Sequence, residues 1–139
     1  MKFIKHGVFE IETEAQLLLV DATGPFNDEV AKQYIEALES CIQQLEVSQW
    51  NQIITLHQLS LLSPEVEKLF TSALIKRRTR GLKAVYLIVE NVYFKSLVKE
   101  QMSRCYTKAG IEHHFFDSVF EVKNNLSNLP NGLPLTNYC

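Results

Sequence analysis

The residues best suited to chemistry are polar side chains that follow predicted strands and open the next segment. They are Asn27, His57, Ser60, Ser63, Glu90 and Asn91. Because the carboxyl ends of parallel strands meet at one edge of a sheet, we expect these side chains, together with Asp117, to share that edge. This edge is therefore the predicted contact surface for a ligand or a partner.

An imidazole and a serine hydroxyl at one edge could form a nucleophile and its base, with Glu90 or Asp117 orienting the His57 ring. The sequence contains no Gly-x-Ser-x-Gly nucleophile elbow and no Gly-rich oxyanion loop. We therefore predict that the chain is not an enzyme. An enzyme that uses His57 and Ser63 remains the competing hypothesis.

Ser63 has two interpretations. It directly precedes Pro64 at the predicted start of a helix, where a serine oxygen accepts a hydrogen bond from an unpaired backbone N–H. Alternatively, Ser63 is a phosphorylation site, because a phosphate there would meet the positive end of the helix dipole.

A basic run stands at the other end of the same predicted helix. Lys76, Arg77, Arg78 and Arg80 could form a patch for an anionic partner or for lipid headgroups. Positive charge in a last turn also complements the helix dipole, with the side chains in solvent. Both interpretations stay open.

No pattern predicts a metal or a cofactor. His113 and His114 are adjacent on a predicted strand, so their side chains point to opposite faces. Asp21 lacks the second aspartate or the Gly-rich loop of phosphate-binding motifs, and no dinucleotide fingerprint or Walker loop occurs.

Composition favours a single soluble domain. The 139 residues carry a net charge of −2, which argues against a general nucleic-acid binder. No signal peptide and no apolar run of about 20 residues is present, so we expect no stable membrane insertion. Cys41 and Cys105 fall on apolar helix faces, which favours buried thiols, and Cys139 makes the count odd. We therefore expect a cytoplasmic protein.

The elements that position the polar residues alternate along the chain. We predict strands at 7–12, 16–22, 50–57, 83–90 and 111–116, and helices at 28–46, 64–80, 92–109 and 118–126. The expected caps are Asn27 or Asp28, Ser63 and Asn91, with a capping box from Ser118 to Glu121. The apolar face of the third helix should carry Phe94, Leu97 and Val98 at its start. Exposed aromatic residues at 93–94 would mark an interface or the mouth of an apolar pocket.

This order predicts an α/β fold of the form ββαβαβαβα. The first two strands are too close for a crossover, so they form an antiparallel hairpin with the first strand near the rim. The remaining strands are parallel, giving one mixed sheet of about five strands with about four helices. Residues 1–126 form one domain, and residues 127–139 form an irregular tail.

The element order, the hairpin and the motif Gly24-Pro25-Phe26-Asn27 after LLLVDAT resemble the STAS superfamily, which has the anti-sigma-factor-antagonist (SpoIIAA-like) fold. The resemblance spans about residues 7–126 and extends distantly to CRAL-TRIO lipid-transfer domains. In phosphoregulated members, a partner kinase modifies a hydroxyl in an Asp-Ser-Ser/Thr-Gly type loop. The corresponding loop here, at 59–64, lacks the Asp and the Gly, and Ser63 is the nearest match.

The resemblance implies a bacterial regulatory or protein-interaction module without catalysis, acting on a protein partner or as a homodimer. The alternative that it implies is a carrier of a lipid or another apolar small molecule. A carrier would need a cavity of several hundred Å³ between helices and sheet.

Overall fold

A computed structural model describes the backbone of residues 3–6 and all of residues 9–127. The strands are β1 (Phe3–His6), β2 (Phe9–Glu14), β3 (Leu17–Thr23), β4 (Trp50–His57), β5 (Leu82–Glu90) and β6 (Glu112–Phe115). The helices are α1 (Asp28–Leu45), α2 (Pro64–Thr79), α3 (Lys95–Ala109) and α4 (Val119–Ser127). The predicted tail lies outside the described residues except for Ser127, and so does Cys139.

All six strands form one sheet in the order β1-β2-β3-β4-β5-β6. The pairs β1–β2 and β2–β3 are antiparallel, and the three remaining pairs are parallel. The predicted α/β fold, with its hairpin start and alternating helices and strands, is therefore confirmed. Parallel strands ending at one edge bring the ends of β3, β4 and β5 together.

The sheet has one strand more than we predicted. β1 pairs with β2 along its length, so β1 rather than the first strand of the predicted hairpin lies at the rim. The segment Phe3–His6 is short and has charged neighbours, and only its pairing partner makes it a strand. Local sequence patterns do not predict such pairing between strands.

Helices cover the two faces of the sheet unequally. The first face packs against α1, α2 and α3 through Val20, Ile54, Leu87 and similar side chains. Among the described residues, the second face packs against α4, where Val122 and Leu126 join a cluster with Ile53, Tyr86 and Ile88 of the sheet. Alternation along each strand sends neighbouring residues to opposite faces. The part of the second face that includes Asp21 is left open by the described residues, and we call it the open half.

The core between the three helices and the sheet is tightly filled. The space enclosed among core side chains that include Tyr34, Phe70 and Met102 amounts to about 10 Å³. A single water molecule needs about that volume. The several hundred Å³ that an internal lipid carrier would need are therefore not found within the described residues. None of the described helices is long and apolar enough to cross a membrane.

Most helices begin at the capping residues that the sequence predicts. Asn27 Oδ1 accepts the Val30 N–H at 2.8 Å, and Ser118 Oγ accepts the Glu121 N–H at 3.0 Å, so both predicted caps are confirmed. The predicted cap at Asn91 is wrong. α3 begins at Lys95, three residues later than predicted, and the residue before it, Phe94, makes no side-chain cap.

The later start of α3 changes the surface. Asn91 and Phe94 both have left-handed backbone angles, with φ of 52° and 56°. A left-handed residue cannot continue a helix, so residues 91–94 form a loop. Phe94 and Leu97, which we predicted on the apolar face of the helix, are instead exposed, whereas Val98 is buried.

Candidate functional site

His57 lies between two carboxylates at the ends of three neighbouring strands. Its Nε2 is 3.0 Å from Asp21 Oδ2 on β3, and its Nδ1 is 3.2 Å from Glu90 Oε1 on β5. An imidazole protonated at both nitrogens would donate to both carboxylates, and a neutral ring would donate to one. His57 therefore ties β3, β4 and β5 together at their carboxyl ends.

The structure does not pair His57 with Ser63. His57 shares its face of β4 with Ile53, which packs against α4. Ser63 opens α2, whose Val66 and Phe70 pack on the other face of the sheet. The Ser63 Oγ accepts the Val66 N–H at 3.2 Å, so the capping interpretation is confirmed. This geometry opposes a catalytic pair of His57 and Ser63.

Ser60 and Asn91 lie in a groove at the carboxyl edge of the sheet. The groove runs between the loop after β4 and the loop after β5, and its volume is about 940 Å³. We call it the edge groove, and its lining residues are Gln58, Leu59, Ser60, Leu61, Asn91, Val92, Tyr93 and Phe94. Of the six predicted edge residues, these two therefore line the edge groove, whereas Asn27 caps α1. Asn91 also lines a smaller depression with Glu90 and Asp117, so the structure places Asp117 at this edge as predicted.

Large apolar side chains stand exposed around the edge groove. Tyr93 is 88% exposed, Phe94 75%, Leu61 52% and Leu97 49%. Single exposed apolar residues are ordinary, but a cluster of them beside a groove marks a binding surface. The predicted interface at residues 93–94 thus meets its condition, because both aromatic rings face solvent.

The backbone of the edge groove is unusual. Three of its lining residues, Gln58, Asn91 and Phe94, have left-handed φ angles of 53°, 52° and 56°. Such angles are costly for residues other than glycine, and they concentrate at functional sites. Gly24 also supports this region, because a Cβ there would lie 3.1 Å from Leu59 Cα.

Gln101 binds the backbone at Leu62, directly after one wall of the groove, although the sequence analysis did not single it out. Its side-chain Oε1 accepts the Leu62 N–H at 2.7 Å, and its Nε2 donates to the Leu62 C=O at 2.9 Å. The same Nε2 donates to Glu67 Oε1 at 3.1 Å, and this bond lowers the pKa of Glu67. A polar residue within the apolar stripe of Val98 and Cys105 was the signal that could have found it.

The basic run does not form the predicted four-residue patch. Arg77 is only 3% exposed, and its guanidinium lies 5.6 Å from the centre of the Tyr34 ring. Arg80 is held by Glu39 at 2.8 Å and by Glu46 at 2.6 Å. The inclusion of Arg77 in the patch is therefore wrong, because its stem packs into the core, and only Lys76 and Arg78 are exposed.

The remaining candidate side chains, two histidines and two cysteines, pack against other parts of the fold. His113 stacks on Tyr106 of α3, and His114 stacks on Tyr86 of β5, so their side chains lie on opposite faces as predicted. Cys41 and Cys105 are buried, as the sequence predicts. Within the described residues, no three His, Cys, Asp or Glu side chains are placed to hold a metal ion.

Three comparisons with known proteins identify no relative of this chain. Neither a protein-family model, nor a curated protein, nor a solved structure matches the chain.

Proposed function

We propose that this chain is a non-catalytic interaction module that binds an apolar segment of a protein partner in the edge groove. The observation that carries the proposal is the cluster of exposed Leu61, Tyr93 and Phe94 that lines the groove. Leu97, in the first turn of α3, is exposed as well. Removing such side chains from water is the main driving force of protein association. Aromatic side chains supply most of the binding energy at interfaces. A regulatory role, of the kind implied by the resemblance to the STAS superfamily, belongs to the same proposal.

The groove walls fit a polypeptide better than an acyl chain. Ser60 and Leu61 form no hydrogen bond to any described residue, so their backbone groups are open to a partner. An extended peptide can pair with such groups while its side chains occupy the apolar surface. None of the eight lining residues is charged, which favours an uncharged segment of the partner.

The carrier hypothesis has less support. A lipid carrier encloses its cargo, whereas the core of this chain encloses about 10 Å³. An apolar small molecule could occupy only the open groove, where much of its surface would stay in water. Our further proposal is that the protein is cytoplasmic, which the buried, reduced thiol of Cys105 supports.

Native mass spectrometry of the protein purified from its own cell tests the proposal. The double variant Tyr93→Ser/Phe94→Ser removes the aromatic surface of the groove. Phe120→Ser is the matched control, because Phe120 is 79% exposed and lies at the start of α4. We expect a partner polypeptide, or a second copy of the chain, on the wild type and on the control but not on the double variant.

Two results would overturn the proposal. A bound lipid in place of a polypeptide would favour the carrier. A partner retained equally by all three proteins would show that the groove is not the contact surface.

A further inference from the structure

A cleft on the open half of the second sheet face is distinct from the edge groove. Its volume is about 150 Å³, and it lies between β2, β3, β4 and the first turn of α4. Three carboxylates line it, those of Glu10, Glu12 and Asp21, together with the hydroxyl-bearing Thr55. We call it the acidic cleft.

The carboxylates of the acidic cleft share one face of the sheet at close range. Glu10 and Asp21 are opposite each other in the antiparallel pair β2–β3, and Glu12 is two residues along β2. Like charges in opposite positions repel. Glu10 and Glu12 form no ion pair with any described residue, and Asp21 contacts only His57, through Oδ2. The charges of Glu10 and Glu12 are therefore not paired with any described side chain.

Thr55 provides an independent indication of a ligand. It is only 7% exposed, lies beside Asp21 in the parallel pair β3–β4 and lines the cleft. Its hydroxyl has no hydrogen-bond partner among the described residues. Because Thr55 lines the cleft, this hydroxyl can accept a hydrogen bond from a donor that enters the cleft.

The rest of the lining is apolar. Leu19, Ile53 and Val119 form walls between the carboxylates and α4. A ligand that fits both kinds of surface has an aliphatic stem and a cationic end with several donors. Arginine has this form, because its stem packs on apolar surface and its guanidinium presents five N–H donors to carboxylates.

We propose that the acidic cleft binds the side chain of an arginine from a protein partner. The guanidinium meets the carboxylates of Glu12 and Asp21, and one N–H reaches the Thr55 hydroxyl. The volume suits one side chain, and the open position on the sheet admits a residue carried by another protein. This site is different from the edge groove, which is uncharged and lies between the loops after β4 and β5.

An amide NMR titration of the full chain tests the proposal, with N-acetyl-arginine-N′-methylamide as the probe. The matched probe is the citrulline analogue, which has the same shape and no charge. We expect saturable shifts for amides near Asp21, Thr55 and Val119 with the arginine probe only. Glu12→Gln/Asp21→Asn should weaken binding about tenfold or more, since charged hydrogen bonds are the strong ones. Thr55→Val should weaken it about threefold.

Control variants separate the two surfaces. Glu36→Gln, on the exposed side of α1, should bind the arginine probe like the wild type. Tyr93→Ser/Phe94→Ser should also bind it normally, so a failure of the edge groove leaves this result unchanged.

Three results would overturn the proposal. The first is equal shifts with the citrulline probe. The second is no saturable shift up to about 50 mM, well above the millimolar range expected of one side chain. The third is that calcium chloride alone produces the same shifts at lower concentration than the arginine probe, which would indicate a metal site.

Discussion

The hydroxyl of Ser63 has a defined structural task. It accepts the Val66 N–H at the start of α2, and Pro64 occupies the first helical position, where no N–H is needed. Phosphorylation of this oxygen would have to break or replace that bond. At the scale of single residues, the loop that resembles a regulatory site is therefore mainly a helix start.

Ser63→Ala is expected to lower the free energy of unfolding by about 1 kcal/mol, because one backbone donor loses its acceptor. Ser63→Asp should retain most of the stability, since an aspartate also caps and suits the helix dipole. Urea denaturation measures both differences. Equal stability of Ser63→Ala and wild type would contradict the capping role.

Gln101 is the second residue with a specific task, because it binds both backbone groups of Leu62. Gln101→Leu keeps a similar volume but leaves the Leu62 N–H and C=O without partners, which should cost about 1–3 kcal/mol of unfolding free energy. Hydrogen exchange should also accelerate at the Leu62 amide. Unchanged exchange there, with unchanged stability, would refute the role of Gln101 in holding the Leu62 backbone.

The structural roles of these residues differ in how far the sequence predicts them. Ser63 stands directly before a proline, and this local signature reveals a cap without any tertiary information. Asn91 carries an equally good capping side chain, but its left-handed backbone and the following loop depend on contacts that sequence spacing does not show. Gln101 acts on a residue 39 positions away, so only the folded chain defines its partner.

At the scale of elements, α1 and α2 are joined by Arg80. Its guanidinium donates to both Glu39 oxygens, at 2.8 and 3.0 Å, and its Nε donates to Glu46. These hydrogen bonds lower the pKa of Glu39 and of Glu46 below the ordinary value of 4.5. A carboxylate with a lowered pKa stabilises the fold above its unfolded pKa, and this contribution is lost as the pH falls through the folded pKa.

Arg80→Gln should therefore be less stable than the wild type at pH 7, and the difference should narrow as the pH falls below 4.5. Lys76→Gln is the control, because it removes a charge from the same helix end. Lys76 forms no ion pair with any described residue, so this variant breaks none. Thermal unfolding from pH 7 to pH 3 provides the comparison. A difference that stays constant across this range would show that the ion pairs with Glu39 and Glu46 contribute nothing.

The elements themselves were largely predictable. Apolar periodicity indicated α1 and α2. The β-favouring residues Ile53, Ile54 and Leu56 indicated β4, and an apolar run from Ala84 to Val89 indicated β5. β1 was missed, since pairing with β2 rather than its own residues makes Phe3–His6 a strand. The burial of Arg77 against Tyr34 was also missed, because a basic run in a last turn gives no indication of which side chain faces the core.

At the scale of the whole molecule, the sheet separates two surfaces. The edge groove is apolar and lies at the ends of β4 and β5, whereas the acidic cleft lies on the face that α4 leaves open. His57 and its carboxylate partners, Asp21 and Glu90, lie near the strand ends, next to the edge groove and the acidic cleft. Because the core among the described residues is filled, our proposals place binding on the surface rather than inside the fold.

Site-specific photo-crosslinking tests the central claim most directly, because it reports what touches the edge groove in the cell that makes the protein. The photoreactive residue p-benzoylphenylalanine replaces Tyr93 in one variant and Phe120, as the matched exposed aromatic position, in another. We predict that Tyr93→p-benzoylphenylalanine links to one discrete polypeptide and that the Phe120 variant does not. The same products from both positions, or only a lipid adduct at position 93, would contradict the account.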